Sequence, residues 1–369
     1  MKTRQIPLFL LLIPPFLIIF KETDSVFLSL PFFRSFKKLA SLRSQNYQKL
    51  YRNYRFRIDR RLASLIDGKS PSSVYDPIRY VLASGGKRVR SMLVLLSCQA
   101  LGGKMSQALD AAAAIEILHN FTLVHDDVMD KAVLRRGRPT VHKKWDTNVA
   151  ILAGDEMIAH AYRSLLKTKT PRMQQVLSSF TDAFVQVCEG QGLDKEFERR
   201  GNVGLEDYLL MIDKKTGRVI SAAAEIGAII GGGSAAQISA LRKFGEYLGR
   251  AFQIQDDLLD IDGNEKDLGK TIGGDIMEGK KTYLLLKALE TVNGSDRTFL
   301  RSLTSGNGVT KAAIRRVQHI YRNAGVLQET ETEVAGSTKR AQQSIAHIKQ
   351  SRSKEMLVWL SDQLLQRNS

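Results

Sequence analysis

Phe121-Thr122-Leu123-Val124-His125-Asp126-Asp127-Val128-Met129-Asp130 ends an apolar helical run in three carboxylates. The pattern returns 130 positions later as Ala251-Phe252-Gln253-Ile254-Gln255-Asp256-Asp257-Leu258-Leu259-Asp260. Upstream of the first copy, Ala112, Ile115, Leu118 and Phe121 recur at helical spacing, and Val124 and Val128 continue the stripe. Tyr247, Phe252, Ile254 and Leu258 mark a second helix around the other copy. In a helix, positions i and i+4 share a face, so Asp126 projects with Asp130, Asp127 lies alongside, and Asp256, Asp257 and Asp260 repeat the arrangement. Like charges so placed repel by several tenths of a kcal/mol per pair unless a cation sits among them. Oxygen-only ligands suit hard cations, and Mg²⁺ typically binds a few carboxylates together with substrate phosphates. An alternating Asp-x-Asp-x-Asp-Gly calcium loop is absent.

Cations accompany the carboxylates. Gly85-Gly86-Lys87-Arg88-Val89-Arg90 puts two glycines before a basic segment and an apolar helix from Met92, a weak phosphate signal by itself. Leu134-Arg135-Arg136-Gly137-Arg138-Pro139-Thr140 follows the first cluster, and Lys214-Lys215-Thr216-Gly217, Lys270, Lys280 and Lys281 add more charge. Carboxylates that hold a metal beside cations that hold phosphate make a diphosphate site.

The remainder of the chain agrees with a helical reading. Only 8 of 369 residues are proline, and Pro7, Pro14, Pro15 and Pro31 fall near the start, leaving few helix breakers elsewhere. No alternating strand pattern stands out, and connections are expected at Asp67–Ser73, Ser84–Gly86, Gly102–Lys104, Thr168–Pro171, Gly231–Ser234 and Asn293–Asp296. Cys98 and Cys188 are too far apart in sequence to make a disulfide framework or a metal site, and read as buried reduced thiols. The formal charge is +17, with Arg52, Arg55, Arg57, Arg60 and Arg61 on a basic helix face. No RNA-binding or zinc-finger signature accompanies it, so a polyanionic small substrate or an anionic membrane surface explains the excess without nucleic acid. Ile6–Phe20 is apolar but short for a span and broken by Pro14 and Pro15. Residues 1–37 therefore read as an extension (an over-extended start or disordered appendage, a membrane anchor, or a cleaved signal), and residues 38–369 as one helical domain.

From about residue 50 to 300 the chain resembles the trans-isoprenyl diphosphate synthases, or polyprenyl synthases. Five blocks carry the resemblance, in the family's order: Gly85–Arg90, His119–Pro139, Lys215-Thr216, Phe252–Asp260 and Gly279–Thr282. The resemblance implies an all-α fold, a single large helical bundle of the isoprenoid synthase type with a central cavity. It implies a cytoplasmic homodimer, membrane-associated if residues 1–37 act as an anchor. The activity it implies joins isopentenyl diphosphate to an allylic diphosphate.

By the same resemblance, Asp126, Asp127, Asp130, Asp256, Asp257 and Asp260 hold three Mg²⁺. Lys87, Arg90, His119 and Arg136 bind isopentenyl diphosphate, while Arg135, Lys215, Thr216, Gln253, Lys270 and Lys280 surround the allylic diphosphate. Phe121 and Thr122, five and four positions before the first aspartate motif, line the tunnel floor. One aromatic with one small residue resembles geranylgeranyl-forming members, with farnesyl or long-chain products as alternatives. Two positions depart from the family: Ser91 and Leu284 stand where proline is usual, and Ser91 is expected to act as a helix cap. A class I terpene synthase would lack the second Asp-Asp-x-x-Asp and the isopentenyl site, and a non-catalytic regulatory subunit would have lost aspartates.

Overall fold

Long apolar runs without proline or glycine set the architecture. In the computed structural model, which describes residues 8–13, 16–21, 31–263, 272–304 and 310–365, nearly every element is a helix. The chain divides into two units, residues 1–53 and 54–369. In the first, the apolar run forms a strand pair rather than one segment. Strand β1 (Leu8–Ile13) pairs antiparallel with β2 (Phe16–Lys21), in register from Leu8 opposite Lys21 to Ile13 opposite Phe16. Strands were not expected here. The proline pair interrupts any helix, and the flanking apolar residues pair across the break. Helix α1 (Pro31–Ile66) follows and runs through the expected boundary at residue 38 without a break. The rest of the expected extension lies outside the described residues. No helix among the described residues is long and apolar enough to cross a membrane.

The second unit is the helical body that the spacing called for. Helices α2 (Ser72–Leu82), α3 (Val89–Ala100) and α4 (Met105–Met129) are followed by a short hairpin, β3 (Leu134–Arg135) and β4 (Arg138–Pro139). Then come α5 (Val141–Lys144), α6 (Thr147–Leu165), α7 (Met173–Arg199), α8 (Leu205–Ile212), a π-helical turn (Asp213–Gly217), α9 (Arg218–Ile230) and α10 (Ala235–Asp262). The C-terminal third comprises α11 (Gly274–Met277), α12 (Tyr283–Thr291), α13 (Gly294–Leu303), α14 (Lys311–Asn323), α15 (Val326–Ser344) and α16 (Arg352–Leu365). Breaks occur at or within a residue or two of the expected connections, at glycines and helix caps.

Helix α4 is buried on all sides through Ala111–Leu118, as a helix apolar all round must be. It packs against α3, α6 and α9, while α10 packs against α9 and α15. A separate core cluster joins Leu258 and Ile261 of α10 to Leu284, Leu285, Leu300, Val317 and Tyr321. Leu284, at one of the two departures, is 1% exposed inside that cluster, so an apolar side chain fills the place of a proline ring. Cys98 is buried as expected, whereas Cys188 is exposed. Burial raises its thiol pKa, and the charges of Asp126 and Glu189 add to the rise, so it lies on the side of α7 near the first aspartate cluster.

One charged pair crosses the core. Arg88, 3% exposed, takes a left-handed backbone (φ 52°) just before α3. Its guanidinium donates to Glu116 of α4 at 3.0 Å, to Asp59 of α1 at 2.9 Å and to the Leu82 carbonyl at 2.7 Å. The Ser91 hydroxyl lies 2.9 Å from the other Glu116 oxygen and 2.8 Å from the Ala112 carbonyl. Ser91 is thus no helix cap. It sits inside the first turn of α3 and ties that turn to α4.

Removing one partner of a buried pair leaves an uncompensated charge, at about 3–5 kcal/mol. Glu116→Ala is therefore expected to destabilise the fold by that amount in chemical denaturation. Ser91→Ala should lose about 1 kcal/mol, the worth of an ordinary hydrogen bond. A Glu116→Ala midpoint equal to that of the native chain would show that Arg88 is not held by this pair.

Candidate active site

Both aspartate clusters occupy the C-terminal turns of apolar helices. Asp126 and Asp127 sit in the last turn of α4, and Asp130 caps it, its amide bonded to the Asp126 carbonyl at 2.8 Å. Asp256, Asp257 and Asp260 fill the corresponding turn of α10. Helix C-termini carry partial negative charge, so carboxylates placed there are disfavoured twice over. Burial pushes the Asp126 carboxyl up to about 6; Lys215 pulls it back and Asp130 adds to the rise. Burial raises Asp127 as well, against the pull of Arg135. Asp257 is raised by burial and by Asp275.

Each cluster is answered by donors on neighbouring elements. Arg135 Nε donates to Asp127 at 2.7 Å, and Lys195 Nζ of α7 meets Asp130 at 2.6 Å. Asp257 accepts from the Tyr208 hydroxyl (2.7 Å), the Tyr283 amide (3.0 Å) and Gln253 Nε2 (3.1 Å). Asp260 accepts from the Asp275 amide at 3.0 Å. Lys280 pairs with Asp275 and Glu278. Burial works against its charge, yet those two carboxylates hold its pKa above the ordinary lysine value, and Asp130 of the first cluster contributes too. The two clusters therefore act on one shared field.

Lys214, Lys215 and Thr216 lie on the π-turn, an irregularity common at functional positions. Lys215 Nζ meets Asp194 at 2.6 Å, and the Thr216 hydroxyl donates to Gln253 Oε1 at 2.9 Å. Two glycines let the flanking helices close on this turn. A Cβ on Gly190 of α7 would stand 2.4 Å from the Lys215 nitrogen, and one on Gly249 of α10 would stand 2.6 Å from the Gly217 Cα. Lys281 donates to the Phe197 carbonyl.

A basic group forms on the other side of α4. Arg90 Nη1 lies 3.3 Å from His119 Nε2. Burial holds the His119 pKa well below the usual imidazole value, and the positive charges of Arg90, Arg136, Arg135 and Arg88 add to the depression, so the ring is neutral. Arg136 and Gly137 occupy the turn between β3 and β4 with φ of 54° and 71°, the two positive values of a type I′ hairpin. The Arg136 guanidinium donates to the Gly85 carbonyl at 2.5 Å and to the Ser84 hydroxyl at 3.1 Å, joining the hairpin to the glycine-rich loop. Lys87 is exposed on that loop. Phe121 is buried, edge-on to His125 (4.7 Å between ring centres) and to Phe184 of α7 (5.5 Å). The Thr122 hydroxyl is bonded to the His119 carbonyl at 2.8 Å. Lys270 lies outside the described residues.

Several groups at the site were not singled out from the sequence: Asp275, Asp194, Lys195, Tyr208 and the buried Arg88. Asp194-Lys195 follows Gly190-Gln191 in a polar stretch of α7 that reads as a solvated helix face. Only the packing of α7 against the π-turn turns it inward.

The donors fit a hard divalent cation, being carboxylate oxygens throughout. Among the described residues no three His, Cys, Asp or Glu side chains are gathered closely enough to enclose a metal by themselves.

Comparison with known proteins agrees with this geometry. Residues 71–323 match the family described as polyprenyl synthetase. A short chain isoprenyl diphosphate synthase of Methanothermobacter thermautotrophicus is 38% identical over 319 residues, 86% of this chain and 98% of that protein. A geranylgeranyl pyrophosphate synthase of Geoglobus acetivorans is 37% identical, covering 84% of this chain and 96% of its own. The crystal structure of geranylgeranyl pyrophosphate synthetase from Pyrococcus horikoshii superposes with a TM-score of 0.83 at 34% identity, over 88% of this chain and all of that one.

Proposed function

Because the chain belongs to the polyprenyl synthetase family, and is a prenyltransferase condensing isopentenyl diphosphate with an allylic diphosphate, we propose that it makes all-trans geranylgeranyl diphosphate. The observation that carries the placement of substrates is the pair of aspartate turns at the ends of α4 and α10, ringed by Arg135, Lys195, Lys215 and Lys280. In this reading Asp126, Asp127, Asp130, Asp256, Asp257 and Asp260 form the site for Mg²⁺, three ions in all. Asp127 and Asp257 are steadied by Arg135, and by Tyr208 and Gln253, respectively. When bound, Mg²⁺ supplies Lewis-acid stabilisation of the charge that gathers on a departing diphosphate.

The chain's own residues have distinct parts in this proposal. Arg135, Lys215, Lys270 and Lys280 hold the allylic diphosphate by charge as its C–O bond breaks. The Thr216 hydroxyl and Gln253 amide oxygens, already bonded to each other, flank the allylic carbon that becomes cationic. Lys87, Arg90 and Arg136 hold isopentenyl diphosphate beside the neutral His119 ring, which can accept a hydrogen bond from Arg90 without adding charge. Attack by the isopentenyl double bond is followed by loss of a proton to the released diphosphate. The apolar body of α4 keeps water from the cation.

Chain length is assigned to Phe121, with Thr122 one turn before Asp126. Its support is that Phe121 is buried and braced by His125 and Phe184, so it cannot swing aside cheaply. The names of the archaeal relatives point the same way.

Three outcomes test the reading. Asp126→Ala or Asp256→Ala should lower turnover by a factor of roughly a hundred or more at limiting Mg²⁺, the scale of losing one preorganised electrostatic group. Circular dichroism should stay unchanged, and near-normal turnover in either variant rules out the metal assignment. Assembly is proposed as a homodimer with α4 near the interface. The exposed Ile151 and Leu152 on α6, which packs along α4, support it, and a monomeric mass by light scattering at micromolar concentration contradicts it. Phe121→Ala should shift the chromatographic product profile to longer chains while catalysis persists; a profile identical to that of the native chain would remove Phe121 from the floor.

A further inference from the structure

Tyr80, on the last turn of α2, is not among the residues expected to touch substrate, yet two cations lie over its ring. The Arg138 guanidinium carbon and Lys144 Nζ each lie 4.1 Å from its ring centre. Trp145 meets it edge-on at 5.3 Å, and Lys144 also lies 4.7 Å from the Trp145 ring. The Tyr80 hydroxyl donates to the Pro139 carbonyl at 2.8 Å. One side chain thus grips both residues of β4 and the end of α5.

What it grips matters because of the hairpin's geometry. β3 is anchored independently: Arg135 is bonded to Asp127, and the Ala132 amide to the Asp127 carbonyl. β4 has no such tie to α4 through its own side chains among the described residues. The turn between them holds Arg136 in a left-handed backbone that a non-glycine residue adopts only when its surroundings impose it. Four and five residues beyond Tyr80, Ser84 and Gly85 receive the Arg136 guanidinium. α2 and the loop after it therefore hold the hairpin at two points, one at β4 and one at the turn. The distance between the Gly85–Arg90 loop and Arg136 depends on both.

We propose that Tyr80 is a positioning residue for the isopentenyl diphosphate site: its ring and hydroxyl hold β4 so that Arg136 faces Lys87 and Arg90. This rests on the reading of Arg136, Lys87 and Arg90 as that site. The aromatic face is suited to the task because it attracts two cations while offering no negative charge that would compete with phosphate for them. Asp or Glu in the same place would neutralise the hairpin.

Steady-state kinetics of the full chain with both substrates, on Tyr80→Ala, Tyr80→Phe, Arg136→Ala and the Tyr80→Ala/Arg136→Ala double variant, test the proposal. Tyr80→Ala should raise KM for isopentenyl diphosphate roughly tenfold, the scale of losing such ring–cation contacts, with kcat and the allylic KM within about twofold of the native values. Tyr80→Phe keeps the ring and should recover most of the affinity. The double variant should bind isopentenyl diphosphate no more weakly than Arg136→Ala alone, because both changes remove the same contact. A purely structural role would lower thermal stability and kcat without separating the two KM values, and that result overturns the proposal. If Arg136→Ala raises the isopentenyl KM and Tyr80→Ala does not, the clamp fails alone. If Arg136→Ala leaves it unchanged, the site assignment fails and the clamp with it. Should Tyr80→Ala not fold, Lys144→Gln leaves the ring in place and removes one of its cations. It should raise the same KM severalfold, and an unchanged value refutes the clamp.

Discussion

Six carboxylates placed at the negative ends of two apolar helices are the constraint to which the rest of the molecule responds. Every local term opposes them: burial, mutual repulsion and the helix dipole. Such a cluster persists only where donors are arranged around it. Arg135, Lys195, Lys215, Lys280, Tyr208, Gln253 and the Tyr283 amide come from seven different segments of the chain and gather around these two turns. In the proposed site, a polyanionic substrate with divalent cations would invert the balance, since carboxylate and lysine alike would then find partners.

Regular helices supply the scaffold, and the chemistry sits where regularity fails. Lys215 and Thr216 ride on a π-turn, Arg136 on a left-handed hairpin turn, and Lys87 and Arg90 flank the left-handed Arg88. Each irregularity is held by something specific. Gly190 and Gly249 allow α7 and α10 to close on the π-turn, Gly137 completes the hairpin, and the buried Glu116 pins Arg88. Strained backbone costs about 1–3 kcal/mol per position and survives only when its surroundings over-determine it. Here those surroundings are the same close helix contacts that build the core.

Much of this was legible in advance. Periodicity without proline announced long helices, and the connections fell close to the expected glycines and caps. The duplicated aspartate motif located both carboxylate turns, because four-residue spacing fixes which side chains share a helical face. Other features were not legible for equally physical reasons. The strand pair in residues 8–21 looked like one short apolar segment broken by Pro14 and Pro15, since strand pairing depends on a partner and leaves no alternating mark where every residue is apolar. Cys188 seemed buried because its sequence neighbours are apolar, but exposure depends on which face of α7 meets a neighbour. Ser91 looked like a cap and proved to be a cross-link from α3 to α4.

The sequence by itself determined the helical class, the two aspartate turns and the supply of cations, because these follow from residue type and spacing along one chain. Only the tertiary structure decided which cation answers which carboxylate, that Asp194, Lys195 and Asp275 join the site, and that Tyr80 holds the hairpin bearing Arg136. Those pairings link residues separated by up to 65 positions, as in Asp130 with Lys195. Helix packing sets them: it buries apolar surface without direction and leaves shape and charge to choose which polar groups come within reach.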